Sequence, residues 1–170
     1  GIVGNTAKQY LSLLEGGAAQ QALAEVTALW ALGDRKTACE HAAEVIPALP
    51  DEVNGMNKAE LQILWAGRAV TSDQIGVATT LISELPPLPS SDLAWRVPAT
   101  KAMIAIAEGE YEKGIQMFDQ LEEGAPPDGL ADARATAACI SGNVEVAQRL
   151  AKNVESSSVA WGLYCAGASD

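Results

Sequence analysis

A single histidine, His41, stands among the 170 residues, and that scarcity removes most imidazole chemistry at the outset. It lies in ACEHAAEV beside Cys39 and Glu40, but helix neighbours one or two apart point to different faces and do not converge on a metal. No third group marks it as the oriented base of a nucleophile such as Cys39 or a serine. It reads as a surface or half-buried side chain. Cations are also scarce, with 11 Lys and Arg against 22 Asp and Glu and a net charge of -11. Such a field repels phosphate backbones and anionic lipid. Lys and Arg are scattered singly or as Arg35-Lys36, so no basic patch offsets it, and neither nucleic acid nor a membrane surface is an expected partner. No apolar run approaches the roughly 18 residues of a membrane span, while 48% hydrophobic against 19% charged residues is too apolar for a disordered chain. The expectation is one soluble, globular body without membrane insertion.

Glycine-rich phosphate loops are missing too: neither GxxxxGK[ST] nor GxGxxG occurs, and the glycines read as turn punctuation. Three cysteines, Cys39, Cys139 and Cys165, sit in Ala-rich helical contexts without metal-ligand spacing and read as small buried apolar residues. One pair, Cys139 with Cys165, could bridge neighbouring helices. Paired acids at Glu108 and Glu110, Glu122 and Glu123, and Asp51 and Glu52 fall at turns or helix ends, where solvated faces explain them better than acid/base work. LPPLPSS, Leu85 to Ser91, reads as an extended connection rather than a polyproline ligand. No catalytic residue, cofactor or metal site is expected.

What is present is helical periodicity. Apolar residues recur at three and four across Ala-rich stretches, and strand signals are nearly absent, so the chain is expected to be all-α. Helices are expected at Thr6 to Leu14, Ala18 to Leu32, Lys36 to Ala48, Lys58 to Val70, Gln74 to Leu85, Leu93 to Glu108, Tyr111 to Glu122, Leu130 to Ser141, Val144 to Glu155 and Val159 to Ala168.

They come in pairs joined by tight turns, and aligning on Gly33, Asp73, Gly109 and Gly142 gives intervals of 40, 36 and 33 residues. After each turn one pattern recurs: a small residue, an apolar one four on and another three further. The sets are Ala38, Ala42 and Val45, with Pro50 beyond; Ala78, Ile82 and Leu85; Gly114, Phe118 and Leu121, with Pro126 beyond; and Ala147, Ala151 and Val154. Small residues let helix backbones approach, and the spacing keeps the stripe on one face. The prolines end the helix for want of an N–H.

This pattern resembles the tetratricopeptide repeat (TPR), an array of antiparallel helix pairs of about 34 residues. Gly109, Tyr111, Gly114, Phe118, Leu121 and Pro126 carry the likeness best. In the first helices Ala66, Ala102 and Ala135 hold the small crossing position, and Val26 replaces it in the first unit. The resemblance implies a right-handed α-solenoid over 1–170, with approximate repeats at 18–50, 58–89, 93–127 and 130–155 and partial repeats or capping helices at 5–15 and 158–168. It further implies a concave groove lined by first helices: Leu23, Thr27 and Trp30; Ile63 and Gly67; Arg96, Ala99, Met103 and Ile106; and Asp132 and Thr136, with Arg68 or Arg96 as its cations. The Lys and Asn with which some members grip a partner's C-terminal carboxylate are absent from these positions, which disfavours the acidic tails of heat-shock chaperones. Trp65, Trp95 and Trp161 are expected as core or hairpin-packing residues.

The functional expectation is a non-catalytic module that binds a protein or peptide in this groove, as part of a larger bacterial protein. The start at Gly-Ile-Val, with no signal segment, suggests a processed chain or an excised piece. The alternative is a scaffold that assembles through its terminal repeat faces, with Trp161 and Tyr164 on one of them.

Overall fold

In a computed structural model of the chain, residues 17–151 and 157–167 are described. They are mostly helical, as the periodicity requires. Helix α1 spans Ala18–Ala31, α2 Arg35–Val45, α3 Lys58–Thr71, α4 Ile75–Ser83, α5 Arg96–Ala107, α6 Tyr111–Gln120, α7 Pro127–Ser141, α8 Val144–Ala151 and α9 Ser157–Cys165. The helix expected at Thr6 to Leu14 lies outside the described residues, as does the end of the one expected to reach Glu155. Short 3-10 turns occupy Ile46–Ala48 and Ser91–Leu93.

The hairpin turns share one backbone device. Gly33, Asp73, Gly109 and Gly142 all have positive φ, at 90°, 60°, 85° and 55°, the left-handed conformation that ends a helix by turning its last carbonyls toward the following amides. In three of them the same long bond closes the turn: Asp34 N–H donates to the Leu29 carbonyl, Gln74 to Ala69 and Glu110 to Ala105, at 3.0, 2.8 and 2.9 Å. Asp73 accepts this conformation as an aspartate can, where a β-branched residue would be strained. The next helix then starts on a fresh cap: the Asp34 carboxylate accepts from Thr37 N–H at 3.3 Å, and Asn143 Oδ1 from Val146 N–H at 3.1 Å.

Helix α7 begins three residues before its expected start at Leu130. Pro127 at its first position loses no hydrogen bond there and has the right φ already, so the residue after the expected exit proline, Pro126, opens the next helix.

A second departure is a small β-ribbon. Strand β1, Glu52–Val53, pairs antiparallel with β2, Met56–Asn57, with Val53 opposite Met56. Asn54 and Gly55 between them have φ of 53° and 78°. Two consecutive left-handed residues of the Asn-Gly type make the turn that matches strand twist. Asn57 then caps α3 through Ala59 N–H at 2.8 Å, and Lys58 Nζ donates to the Pro47 and Leu49 carbonyls.

The chain forms two compact units that divide at Pro89 and Ser90, inside the proline-rich connection. In the first, α1 packs on α2, α3 on α4, and α2 touches both α3 and α4. Its core holds Val26, Cys39, Ile46, Val53, Trp65 and Leu81. In the second, α5 packs on α6 and α7 on α8, while α7 also lies against both α5 and α9. Phe118, Ile106, Leu150 and a run of alanines fill it.

The small positions of the repeat pattern are the tightest points. Ala38, Ala78 and Ala147 are fully buried after their turns, as are Ala66 and Ala102 in first helices. A Cβ at Gly114 would stand 2.6 Å from Ile106 Cδ1 and 3.0 Å from the Ala102 carbonyl oxygen, so α5 and α6 approach as closely as a glycine permits. At Gly162 the obstacle is backbone: the Ala135 oxygen would be 2.6 Å away, which sets the crossing of α9 over α7.

Candidate functional site

Five of the twelve residues expected in a groove are core residues. Leu23, Ile63, Ala99, Met103 and Ile106 are buried, because an apolar stripe at three-and-four spacing is also the stripe a helix turns toward its neighbours. The remaining seven keep access to solvent: Thr27, Arg96 and Asp132 are exposed, and Trp30, Gly67, Arg68 and Thr136 half-buried. Thr27 turns its hydroxyl back to the Leu23 carbonyl at 2.9 Å, a local bond within α1.

In the first unit two of these, Trp30 and Arg68, meet. Trp30, near the end of α1, packs edge-to-face on Trp65 of α3, with ring centroids 5.7 Å apart at 81°, a favoured aromatic geometry. One turn beyond Trp65, the Arg68 guanidinium carbon lies 4.6 Å from the Trp65 ring and 5.0 Å from that of Trp30. Arg35, which opens α2, comes within 5.0 Å of the Trp30 ring as well. Two guanidinium groups thus share one indole.

Among the described residues neither arginine has an ion pair or a hydrogen bond to a protein acceptor. Burial holds the Arg68 guanidinium below the usual arginine range, and the opposing influence comes from Cys39 rather than from a carboxylate. Beneath it, the buried Cys39 thiol is pushed up in pKa, first by burial, against lesser lowering by Ser72 and Arg68. The Ser72 hydroxyl is close enough to act on the thiol, yet it is buried without a well-formed hydrogen bond. Cys39 is therefore a protonated core residue, not a poised nucleophile.

In the second unit Arg96 lies 5.9 Å from the Trp95 ring, and Trp95 itself rests on Gly129, where a Cβ would come within 2.7 Å of its ring. Trp65 and Trp95 pack as expected. Trp161 does not: it is 56% exposed.

The sequence reading missed Arg134. It is 2% exposed on α7, with its ring of donors directed to the Leu150 carbonyl at 3.3 Å, Asp119 at 3.2 Å and Glu122 at 2.8 Å. Glu122 is therefore an ion-pair partner as well as a solvated acid. The available signal was its spacing, four residues from both Leu130 and Ala138 on the buried face of α7. Cys139 of α7 and Cys165 of α9 form a disulfide with Cα atoms 5.0 Å apart, the bridge named as the alternative to their reading as buried apolar residues, and Cys39 is the free thiol.

Among the described residues, no group of three or more His, Cys, Asp and Glu could hold a metal ion, and no helix is long and apolar enough to cross a membrane. His41 is exposed. No protein family, curated protein or solved structure matches this chain.

Proposed function

We propose that this chain is a TPR-like array of helical hairpins, a right-handed α-solenoid, which binds a protein or peptide segment without catalysis or cofactor. The observation that carries the reading is the left-handed residue shared by its four turns. The residues that align the repeats, Gly33, Asp73, Gly109 and Gly142, all adopt the same left-handed conformation, and the small residue five positions beyond each is buried. Stacked hairpins bury one face of each helix against neighbours and leave another face free, so surface shape is what such a protein offers a partner. In the second unit the first helices α5, α7 and α9 are successive neighbours, in keeping with hairpins added in sequence order.

The test is selection from a displayed random-peptide library on the intact chain, followed by hydrogen exchange with the selected peptide bound. Protection concentrated on first helices supports the reading. Failure to enrich any peptide, or protection confined to second helices, contradicts it.

One observation favours the scaffold alternative, namely the exposed indole of Trp161 on α9. Concentration-dependent oligomers by sedimentation velocity, dissolved by Trp161→Glu, would establish self-assembly; a monomer at all concentrations would remove it.

A further inference from the structure

We infer that Arg35, Trp30 and Arg68 form a recognition site for a carboxylate carried beside an apolar side chain on a partner's acidic segment, an inference that rests on the peptide-binding reading above. The starting point is a missing partner. The chain has twice as many acids as bases, and two of its other three arginines have found them: Arg134 pairs with Asp119 and Glu122, and Arg149 with Glu112. Arg35 and Arg68 lie over Trp30 instead, with no carboxylate among the described residues paired to either. Two like charges on one ring repel, and the indole face offsets only part of that.

A guanidinium presents five N–H donors in a planar fork. A guanidinium that meets an indole through its face keeps its N–H edge for an acceptor. Stacking also restricts both side chains before any ligand arrives, so less conformational entropy remains to be lost on binding. A carboxylate between the two forks would accept charge-assisted hydrogen bonds and remove the repulsion together.

The surroundings select the rest of the ligand. Leu64, one helical turn before Arg68 on α3, and Leu32, in the turn between Trp30 and Arg35, are both exposed large hydrophobic residues. With the half-buried indole of Trp30 they supply apolar surface beside the cations, a mixture in which a buried anchor gives affinity and a charge gives orientation. The net charge of -11 argues against a polyanion: two cations can hold one carboxylate, whereas a nucleic acid brings a run of phosphates into a repulsive field. A short acidic and apolar segment of another protein fits both conditions.

The experiment uses the intact chain and NMR of the indole and guanidinium N–H groups. The probe is the acetylated, amidated tetrapeptide Leu-Asp-Glu-Leu, compared with Leu-Asn-Gln-Leu. The acidic peptide should shift the Trp30 indole and the Arg35 and Arg68 signals saturably, at least about tenfold more tightly than its amide counterpart. Arg35→Gln and Arg68→Gln should each weaken it, with Lys101→Gln, at an exposed cation of α5 outside the expected groove, as a control that does not. Circular dichroism of each variant separates lost binding from lost folding, and the exposed Arg35 provides the test if Arg68→Gln unfolds. Equal binding of the two peptides, shifts that bypass Trp30, or an equal response to inorganic phosphate would overturn the site. A display-selected peptide that binds equally well to the Arg35→Gln and Arg68→Gln proteins would overturn the site and leave the binding module standing. Failure of the library selection alone would sink the module instead.

Discussion

The guanidinium of Arg134 donates to the Glu122 carboxylate at 2.8 Å from a side chain that is 2% exposed, while the carboxylate itself is 58% exposed. The pair is lopsided. Its acid can return to water, whereas its base cannot. Arg134 also reaches Asp119 and the Leu150 carbonyl and lies over the Phe118 ring at 5.7 Å, so it ties α6, α7 and α8 together around one buried charge.

Removing the acids should therefore cost more than replacing the base. The double variant Asp119→Asn with Glu122→Gln leaves a buried cation without a counter-charge, and about 2 kcal/mol of destabilisation is expected after allowing for solvent screening of the exposed acids. Arg134→Met, which fills similar volume without charge, should cost less. Urea unfolding of both proteins checks the order, and the reverse order would show that packing rather than charge sets the value of Arg134.

The Glu112 and Arg149 pair joins α6 to α8 at the surface, with the two Nη nitrogens of the guanidinium donating to the two carboxylate oxygens. The Arg149 hydrogen bond holds the Glu112 carboxyl below its ordinary value. A folded-state pKa below the unfolded one contributes stability that is present above the unfolded value and is lost as pH falls through the folded value. The melting-temperature gap between the natural protein and Glu112→Gln should close on acidification, and at neutral pH it should shrink with added salt. A gap that stays constant across that acid range would contradict the pairing.

Glycines in three helices make opposite predictions. Gly162→Ala drives a Cβ to 2.6 Å from the Ala135 backbone oxygen, so overpacking of about 2 kcal/mol should outweigh the gain in helix propensity. Gly114→Ala should be milder, because the closest atom it meets belongs to the movable Ile106 side chain. Gly67→Ala in α3 meets nothing within 4 Å and should stabilise by up to about 1 kcal/mol. Thermal melts of the three proteins give the ranking.

The cysteines can be counted by a colorimetric thiol reagent. None should react in the native protein, since Cys39 is buried and kept protonated by its surroundings and the other two are paired. One should react on unfolding without reductant, and three after reduction. Because the Cys39 pKa is raised on folding, its stabilising contribution is present below the unfolded value and is lost as pH climbs toward the folded one. Replacing Cys139 and Cys165 by serine opens a link across 26 residues and should cost about 3 kcal/mol.

The helices and their turns were legible because local rules decide them. Gly33, Gly109 and Gly142 read as turn punctuation, as did the polar run Thr71-Ser72-Asp73. Asn54-Gly55 carried a hairpin signal of its own, but strands of two residues on either side leave no alternation to notice. The candidate site was legible only in part. Periodicity marks Leu23, Ile63, Met103 and Ile106 as one kind of residue, and which side of a helix meets solvent depends on neighbours distant in the chain. The meeting of Trp30 with Arg68 is of that long-range kind, as is the burial of Arg134. Arg35, by contrast, lies across a turn from Trp30 and was within reach of local reasoning.

Calorimetric titration of the intact protein with a display-selected peptide tests the central claim of a binding module most directly. The account predicts saturable binding with one peptide per chain, and at least about tenfold weaker binding by the Trp30→Ala, Arg68→Glu double variant at unchanged helical content, since few residues carry most of an interface's energy. Absence of saturable heat at any peptide concentration, or equal affinity for the natural and variant proteins, would contradict it.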